Sequence, residues 1–437
     1  MFRNLIQSVF GMAVCIVLCC GCDNSPAPEF RLNAVEVLKQ EKAALSESEH
    51  FDPAYKKEIG NILTALFGTP DEPQFPFLLG EDDDAHEFIS MDNIKWAAGR
   101  VHSDQDGKPI TGIYREHCAH CHGISGDGAG PTAAFLNPYP RDFRLGKFKF
   151  KASPLRQMPA DKDLKKILVN GIPGTAMPSF RTLPAEELDA LIDYVKYLTI
   201  RGMYERFLIA EVADLEDEPL LNMDVYAAIA KLRGEEGDDD DDEESEEEEE
   251  FLDQMDYLFS EGLIDNNLSL WVDTEDGITE VPEIPGAIAT DHPDHKALVD
   301  QGRELFYAKG NCAQCHGENA AGDGQTNTFD DWTNDWIKTA GVDPTDRKSY
   351  RDFSALGALK PRPIRPRNLQ LPVYRGGGHP GDLYVRILNG IEGTPMPSGA
   401  TLTEEEIWAL VAYVKAIPFE GDDAAPAKKV NEKAIAR

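Results

Sequence analysis

The chain has 437 residues and a formal net charge of −35, from 78 Asp and Glu against 43 Lys and Arg. So acidic a surface repels phosphate backbones, which excludes nucleic-acid binding and favours basic partners or plain solubility. The length asks for two to three domains rather than one core.

Residues 1–22 read as an export signal. Arg3 is followed by an almost unbroken apolar run from Leu5 to Cys20, shorter than the roughly 20 residues of a comfortable membrane span. Cys20-Gly21-Cys22 resembles a bacterial lipoprotein cleavage site with Cys22 as the lipidated residue, although Cys19 stands where leucine is usual. Lipoprotein anchoring is the favoured reading, with plain secretion and an uncleaved anchor as alternatives. All three place the body outside the cytoplasm, on the periplasmic side, and attach or release it at the membrane.

Residues 23–105 form an N-terminal extension. Leu32, Val35 and Leu38, then Ile59, Ile62, Leu63 and Leu66, recur at helical spacing. Gly68-Thr69-Pro70 is expected to stop the second helix. His50, His86 and His102 are isolated and read as ordinary surface or core residues.

The segment 106–202 carries the first chemical motif, Cys118-Ala119-His120-Cys121-His122. C-x-x-C-H is the attachment signal for c-type haem: two thiols add to the haem vinyl groups and the histidine is placed as proximal iron ligand. A Gly-rich loop (Gly126-Asp127-Gly128), Pro140-Arg141-Asp142-Phe143, a helical pattern from Asp163 to Val169 and the loop Gly171 to Ser179 follow in order. An apolar stripe at helical spacing, Leu183 to Leu198, closes the unit.

Residues 203–290 read as a linker. Within it, 235–250 hold fourteen acidic residues in sixteen positions. Like charges at that density do not fold together, so a solvated spacer is favoured over a docking strip or a weak calcium site.

Residues 291–420 repeat the whole order. Cys312-Ala313-Gln314-Cys315-His316 matches the first motif, Pro366-Arg367-Asn368-Leu369 matches Pro140 to Phe143, and Gly390 to Ser398 matches Gly171 to Ser179. Thr403 and Glu406 form a capping box for the last helix. His122 to Met177 spans 55 positions and His316 to Met396 spans 80, and the excess lies between Gly324 and Pro366. That stretch reads as a surface insertion. Residues 421–437 read as a disordered tail.

The repeat decides between haem and zinc. No second cysteine pair lies near either motif to complete a four-ligand zinc site. Met177 and Met396 sit on matching proline-stiffened loops and are the candidate sixth ligands; packing as core fillers is the alternative. His/Met ligation raises the potential of a haem iron. Met158 and His379 have no counterpart in the other unit. Arg141 and Arg367, at matching places, are either partners for haem propionates or surface arginines.

On these motifs, the two units resemble class I cytochrome c domains. The resemblance implies an all-α fold: two cytochrome c-like helical haem domains, each wrapping its haem with the first and last helices crossing, joined by a partly disordered acidic linker and preceded by a helical extension. It implies attachment through Cys118, Cys121, Cys312 and Cys315, iron ligation by His122, Met177, His316 and Met396, and a proline carbonyl bonded to each proximal histidine. Pro131 suits that role in the first unit, and the second has no proline soon after Gly324. The first unit's entry helix is also short or interrupted by Ser103 to Gly107.

The function expected is single-electron transfer by a di-haem cytochrome, between extracytoplasmic or membrane-bound redox partners, with no catalytic residues. A di-haem peroxidase-like enzyme and a fixed subunit of a membrane respiratory complex are the alternatives.

Overall fold

The computed structural model describes residues 27–43, 52–76, 89–103, 109–213, 220, 225, 253–272, 274 and 277–420. The export signal with Cys22, the acidic run 235–250, the tail 421–437, and His50 and His86 lie outside the described residues.

The chain is all-α, with two short two-stranded sheets as its strand content among the described residues. The extension supplies helix α1 (Ala34–Ala43) and helix α2 (Pro53–Phe67). The apolar stripe of α2 is buried at Ile59, Ile62, Leu63 and Leu66. Asp52 caps its start, and Gly68 ends it in a positive-φ conformation. The extension is no appendage, because these side chains share one core with the first haem unit.

That unit begins earlier than its motif suggests. Helix α3 (Met91–Ala97) packs on helix α7 (Ala185–Ala213), and a hairpin, β1 (Arg100–Ser103) with β2 (Pro109–Thr111), carries the chain into the haem segment. Helix α4 (Ile113–His117) and the single turn α5 (Ala119–His122) follow, then helix α6 (Asp161–Asn170). So the expected interruption of the entry helix is a hairpin. α7 runs 29 residues, past the expected boundary at 202. Its second half continues because both of its faces find cover. Tyr204, Leu208 and Ile209 are buried in the shared core, and the π-helical segment Tyr257–Leu268 packs alongside. Phe148 meets Trp271 edge-on at 6.0 Å. Residues 253–272, which fall in the expected linker 203–290, therefore pack on the first unit's body.

The second unit is simpler. Helix α8 (His295–Tyr307) crosses helix α13 (Glu404–Ala416), with α9 (Ala313–His316) and α12 (Pro380–Asn389) between them in sequence. The crossing is close because Gly302 has no side chain: a Cβ there would stand 1.9 Å from the Ala409 carbonyl oxygen. The expected capping box is present, with Thr403 and Glu406 each bonded to the other's backbone N–H.

The insertion is not a free surface. It folds as helix α10 (Asp331–Ala340) and helix α11 (Arg351–Ala355), closed by strands β3 (Thr328–Phe329) and β4 (Pro363–Ile364). Trp336, Val342 and Phe353 make a small core that Val35 and Leu38 of α1 complete. Buried Lys39 bonds Glu36 at 2.6 Å and Asp335 of α10 at 2.8 Å. No helix among the described residues is long and apolar enough to cross a membrane.

Candidate functional site

Both haem motifs fold as one turn of helix whose end is forced open. His122 N–H donates to the Cys118 carbonyl at 2.9 Å, and His316 N–H donates to the Cys312 carbonyl at 2.9 Å. The next residue is glycine in each unit, at φ +77° (Gly123) and +85° (Gly317). Asp127 and Asp323 fill the space above it, each with an Oδ1 2.0 Å from where a Cβ would stand. A side chain is excluded twice, by backbone conformation and by contact. The turn then reverses onto the histidine, with Gly128 N–H donating to the His122 carbonyl and Gly322 N–H to that of His316.

Each imidazole is held through Nδ1. His122 Nδ1 lies 3.1 Å from the Arg141 carbonyl oxygen, and His316 Nδ1 lies 2.9 Å from that of Arg367. This leaves Nε2 as the free ligand atom, and a carbonyl acceptor on the far nitrogen fixes the tautomer of a ligating histidine. Burial lowers both histidine pKa values, opposed by the carbonyl bond. The neutral ring that results is the form that binds metal. Phe143 stacks on His122 at 4.7 Å.

Two expectations change here. Pro131 does not support His122, and the second unit does not lack the contact. Arg141 and Arg367 do matching work in both units through their backbone carbonyls. The Arg141 side chain reaches toward Asp331 at 3.7 Å, and Arg367 Nε donates to the Val373 carbonyl at 2.9 Å.

The two methionine loops are close copies. Ile172 N–H donates to the Met177 carbonyl at 3.1 Å, and Ile391 N–H donates to that of Met396 at 3.2 Å. Thr175 Oγ1 accepts from Met177 N–H and donates to the Ile172 carbonyl, and Thr394 does the same for Met396 and Ile391. Ser179 and Ser398 tie each loop's exit to the helix before it. Both methionines are half-buried. Met158, by contrast, is fully buried in the first core, and His379 is the N-cap of α12.

A cavity of about 2000 Å³ opens between the two units, lined on the second by Cys312, Cys315, His316, Phe306, Leu383 and Met396 and on the first by Ala119, His120, Gly128 and Arg141, among others. Burial in apolar surroundings pushes the Cys312 thiol up to about 11, and that of Cys118 up to about 12. Arg375 also lines the cavity, with its Nε buried and unbonded among the described residues. Arg386 lines it too, its pKa lowered to about 10 by burial. An apolar slot with paired thiols, a neutral imidazole on one side and spare buried cationic donors suits a haem and its carboxylates. Comparing the repeats could not find Arg386, which stands where the first unit has Ile167.

Residues 105–195 match the family model described as cytochrome C oxidase, cbb3-type, subunit III, and residues 299–418 match the model described as cytochrome c. The chain carries two c-type cytochrome domains in tandem. No curated protein matches the sequence. A solved chain of the Kuenenia stuttgartiensis reducing HAO-like protein complex is similar, at 21% identity over 70% of this chain and 93% of that one, with a TM-score of 0.43. Cytochrome c domains bind haem covalently and transfer electrons to redox partners, and the geometry of this cytochrome's two histidines fits that chemistry.

Proposed function

We propose that this protein is a di-haem cytochrome that passes single electrons between extracytoplasmic redox partners. Cys118 and Cys121 would hold one haem and Cys312 and Cys315 the other. His122 with Met177, and His316 with Met396, would be the axial pairs. The observation that carries this reading is the doubled design: both units repeat the Nδ1-to-carbonyl bond and the threonine-pinned methionine loop, contact for contact. A methionine loop kept to this detail in both copies supports a closed iron on each side rather than an open catalytic one.

When bound, haem supplies the reversible one-electron couple; the chain sets its potential. The carbonyls of Arg141 and Arg367 raise the donor strength of the histidines. The apolar linings keep water from the iron and favour the less charged, ferrous state. The export signal supports delivery outside the cytoplasm, with Cys22 as a lipid anchor to the membrane. The net charge of −35 supports a basic face on the partner.

The test is an optical spectrum of the purified protein, with peroxide turnover measured beside it. Low-spin haem with a methionine-to-iron charge-transfer band is expected in the ferric state. High-spin haem with rapid peroxide consumption would refute the carrier reading.

A further inference from the structure

The two units grip each other at the methionine loops. The loop that carries Met396 contains Glu392, and Glu392 is met by the first unit. Lys151 Nζ bonds Glu392 Oε2 at 2.9 Å, with the two side chains 4% and 12% exposed. Arg156 N–H donates to the same oxygen at 2.7 Å. Just before the loop, Asn389 Nδ2 donates to the Ala152 carbonyl at 2.9 Å. One stretch of the first unit, residues 151–156, therefore lies across the base of the second unit's ligand loop. Lys151 is itself fixed, since it also donates to the carbonyls of Pro154 and Gln157.

The grip is returned. The loop that carries Met177 contains Gly174, whose carbonyl accepts from Arg375 Nη2 at 3.4 Å. The Arg367 guanidinium lies over Gly174, 3.4 Å from where its Cβ would stand. The same residue gives its carbonyl to His316. Around these contacts the units are fastened further. Lys166 pairs with Asp382, and Arg362 donates to the carbonyls of Leu136 and Ala134 while lying 3.9 Å over the Tyr139 ring.

We infer that each unit positions the methionine loop of the other, with Lys151–Glu392 as the main clamp on Met396 and Arg375 and Arg367 as the lesser clamp on Met177. The inference rests on methionine being the sixth ligand, and it goes beyond that reading by making each ligand depend on docking. The clamp is unequal by sequence. The second loop has a carboxylate at 392, and the first has Pro173 at the same place, so the first loop offers only its backbone. A mostly buried ion pair that also holds backbone groups is costly to break from one side, because the remaining charge is left without its partner. With Glu392 neutral, the loop loses its charged tie to the first unit, and only the bonds through Thr394 and Ile391 are left to hold the Met396 sulfur in place.

The experiment uses the full-length ferric protein and compares wild type, Glu392→Gln, Lys151→Met, Met396→Leu and the double variant Glu392→Gln/Met396→Leu. The methionine-to-iron band and both potentials are read in each. Met396→Leu should leave about half the band, since one of the two ligated irons loses its sulfur. Glu392→Gln and Lys151→Met should each cause a loss of the same kind, confined to the second haem, and the double variant should add nothing further. The surviving band of the first haem reports that the fold is intact. If Met396→Leu halves the band while Glu392→Gln and Lys151→Met leave the band and both potentials unchanged, the clamp is overturned and the ligation stands. If Met396→Leu leaves the spectrum unchanged, the ligation reading falls and the clamp with it.

Discussion

In the first unit the closing helix runs 29 residues and is covered by the extension on one side and by residues 257–268 on the other. In the second unit the closing helix runs 13 residues, crosses α8 at a glycine and packs on α12, where Trp408 meets Tyr384 at 4.5 Å. The loops that face the iron sites are nevertheless alike to the hydrogen bond. The difference teaches where a haem domain has freedom. The turn after the proximal histidine and the methionine loop are fixed by the ligands they present, while the scaffold behind them can be a broad shared core or a small core of three helices. The smaller core has less of its own to lean on, and it is the one whose ligand loop carries a charged tie to its neighbour.

The sharpest way to break the comparison is at the crossing. Gly302→Ala puts a methyl against the Ala409 carbonyl, and because backbone rather than a flexible side chain must give way the second unit should lose about 3 kcal/mol or more. Calorimetry of the whole protein should then show the second unit melting first, as a separate transition, with the first unit unmoved. A single unchanged transition would mean that the two units are one cooperative body in spite of their separate cores.

A smaller test compares one tether in two settings. Tyr114 OH donates to the buried Gly123 carbonyl at 2.9 Å, and Tyr307 OH donates to the exposed Glu318 carbonyl at 2.6 Å. Both tie the entry helix to the haem turn. Tyr114→Phe leaves a buried carbonyl without its partner and should cost about 1–2 kcal/mol in denaturant unfolding. Tyr307→Phe leaves a carbonyl that water can reach and should cost under about 0.5 kcal/mol. Equal costs would refute the idea that the first unit's haem turn is the better buried of the two.

The sequence disclosed the parts that chemistry fixes. Thioether formation needs two cysteines and a histidine at one spacing, and a sulfur ligand needs a methionine, so Cys118 to His122, Cys312 to His316, Met177 and Met396 are visible as residue types. The capping box at Thr403 and the stripe of α2 are visible for the same reason, because side chains make those contacts. The histidine supports were not. Any residue supplies a carbonyl, so nothing in the side chains of Arg141 or Arg367 points to their backbone role, and a familiar proline drew attention to Pro131 instead. Nor could the stripe at Ile59 to Leu66 say what it packs on: amphipathicity shows that a face wants burial and leaves the partner open. The same limit made the insertion look like free surface, although Val35 and Leu38 were waiting to complete its core.

The smallest predicted effect lies in that insertion, which the first unit lacks. Asp330 caps α10, its carboxylate accepting from Thr333 N–H at 3.1 Å, and it is buried. Burial pushes its pKa up to about 6, with Asp331 adding to the rise, while the Thr333 bonds and the charge of Lys149 oppose it. A carboxyl whose folded pKa lies above its unfolded value favours folding while protonated. That contribution is complete below about pH 4, the ordinary aspartate range, and is lost as pH rises through about 6. Asparagine caps a helix as well as aspartate does and carries no charge to bury. Asp330→Asn should therefore match wild type near pH 4 and exceed it by about 1 kcal/mol at pH 8, within the ~1.4 kcal/mol per pKa unit that linkage allows. Parallel denaturation curves at the two pH values check this. A variant less stable than wild type at pH 8 would mean that the Lys149 charge outweighs burial, and that the insertion is held to the first unit by that attraction as well as by Lys39.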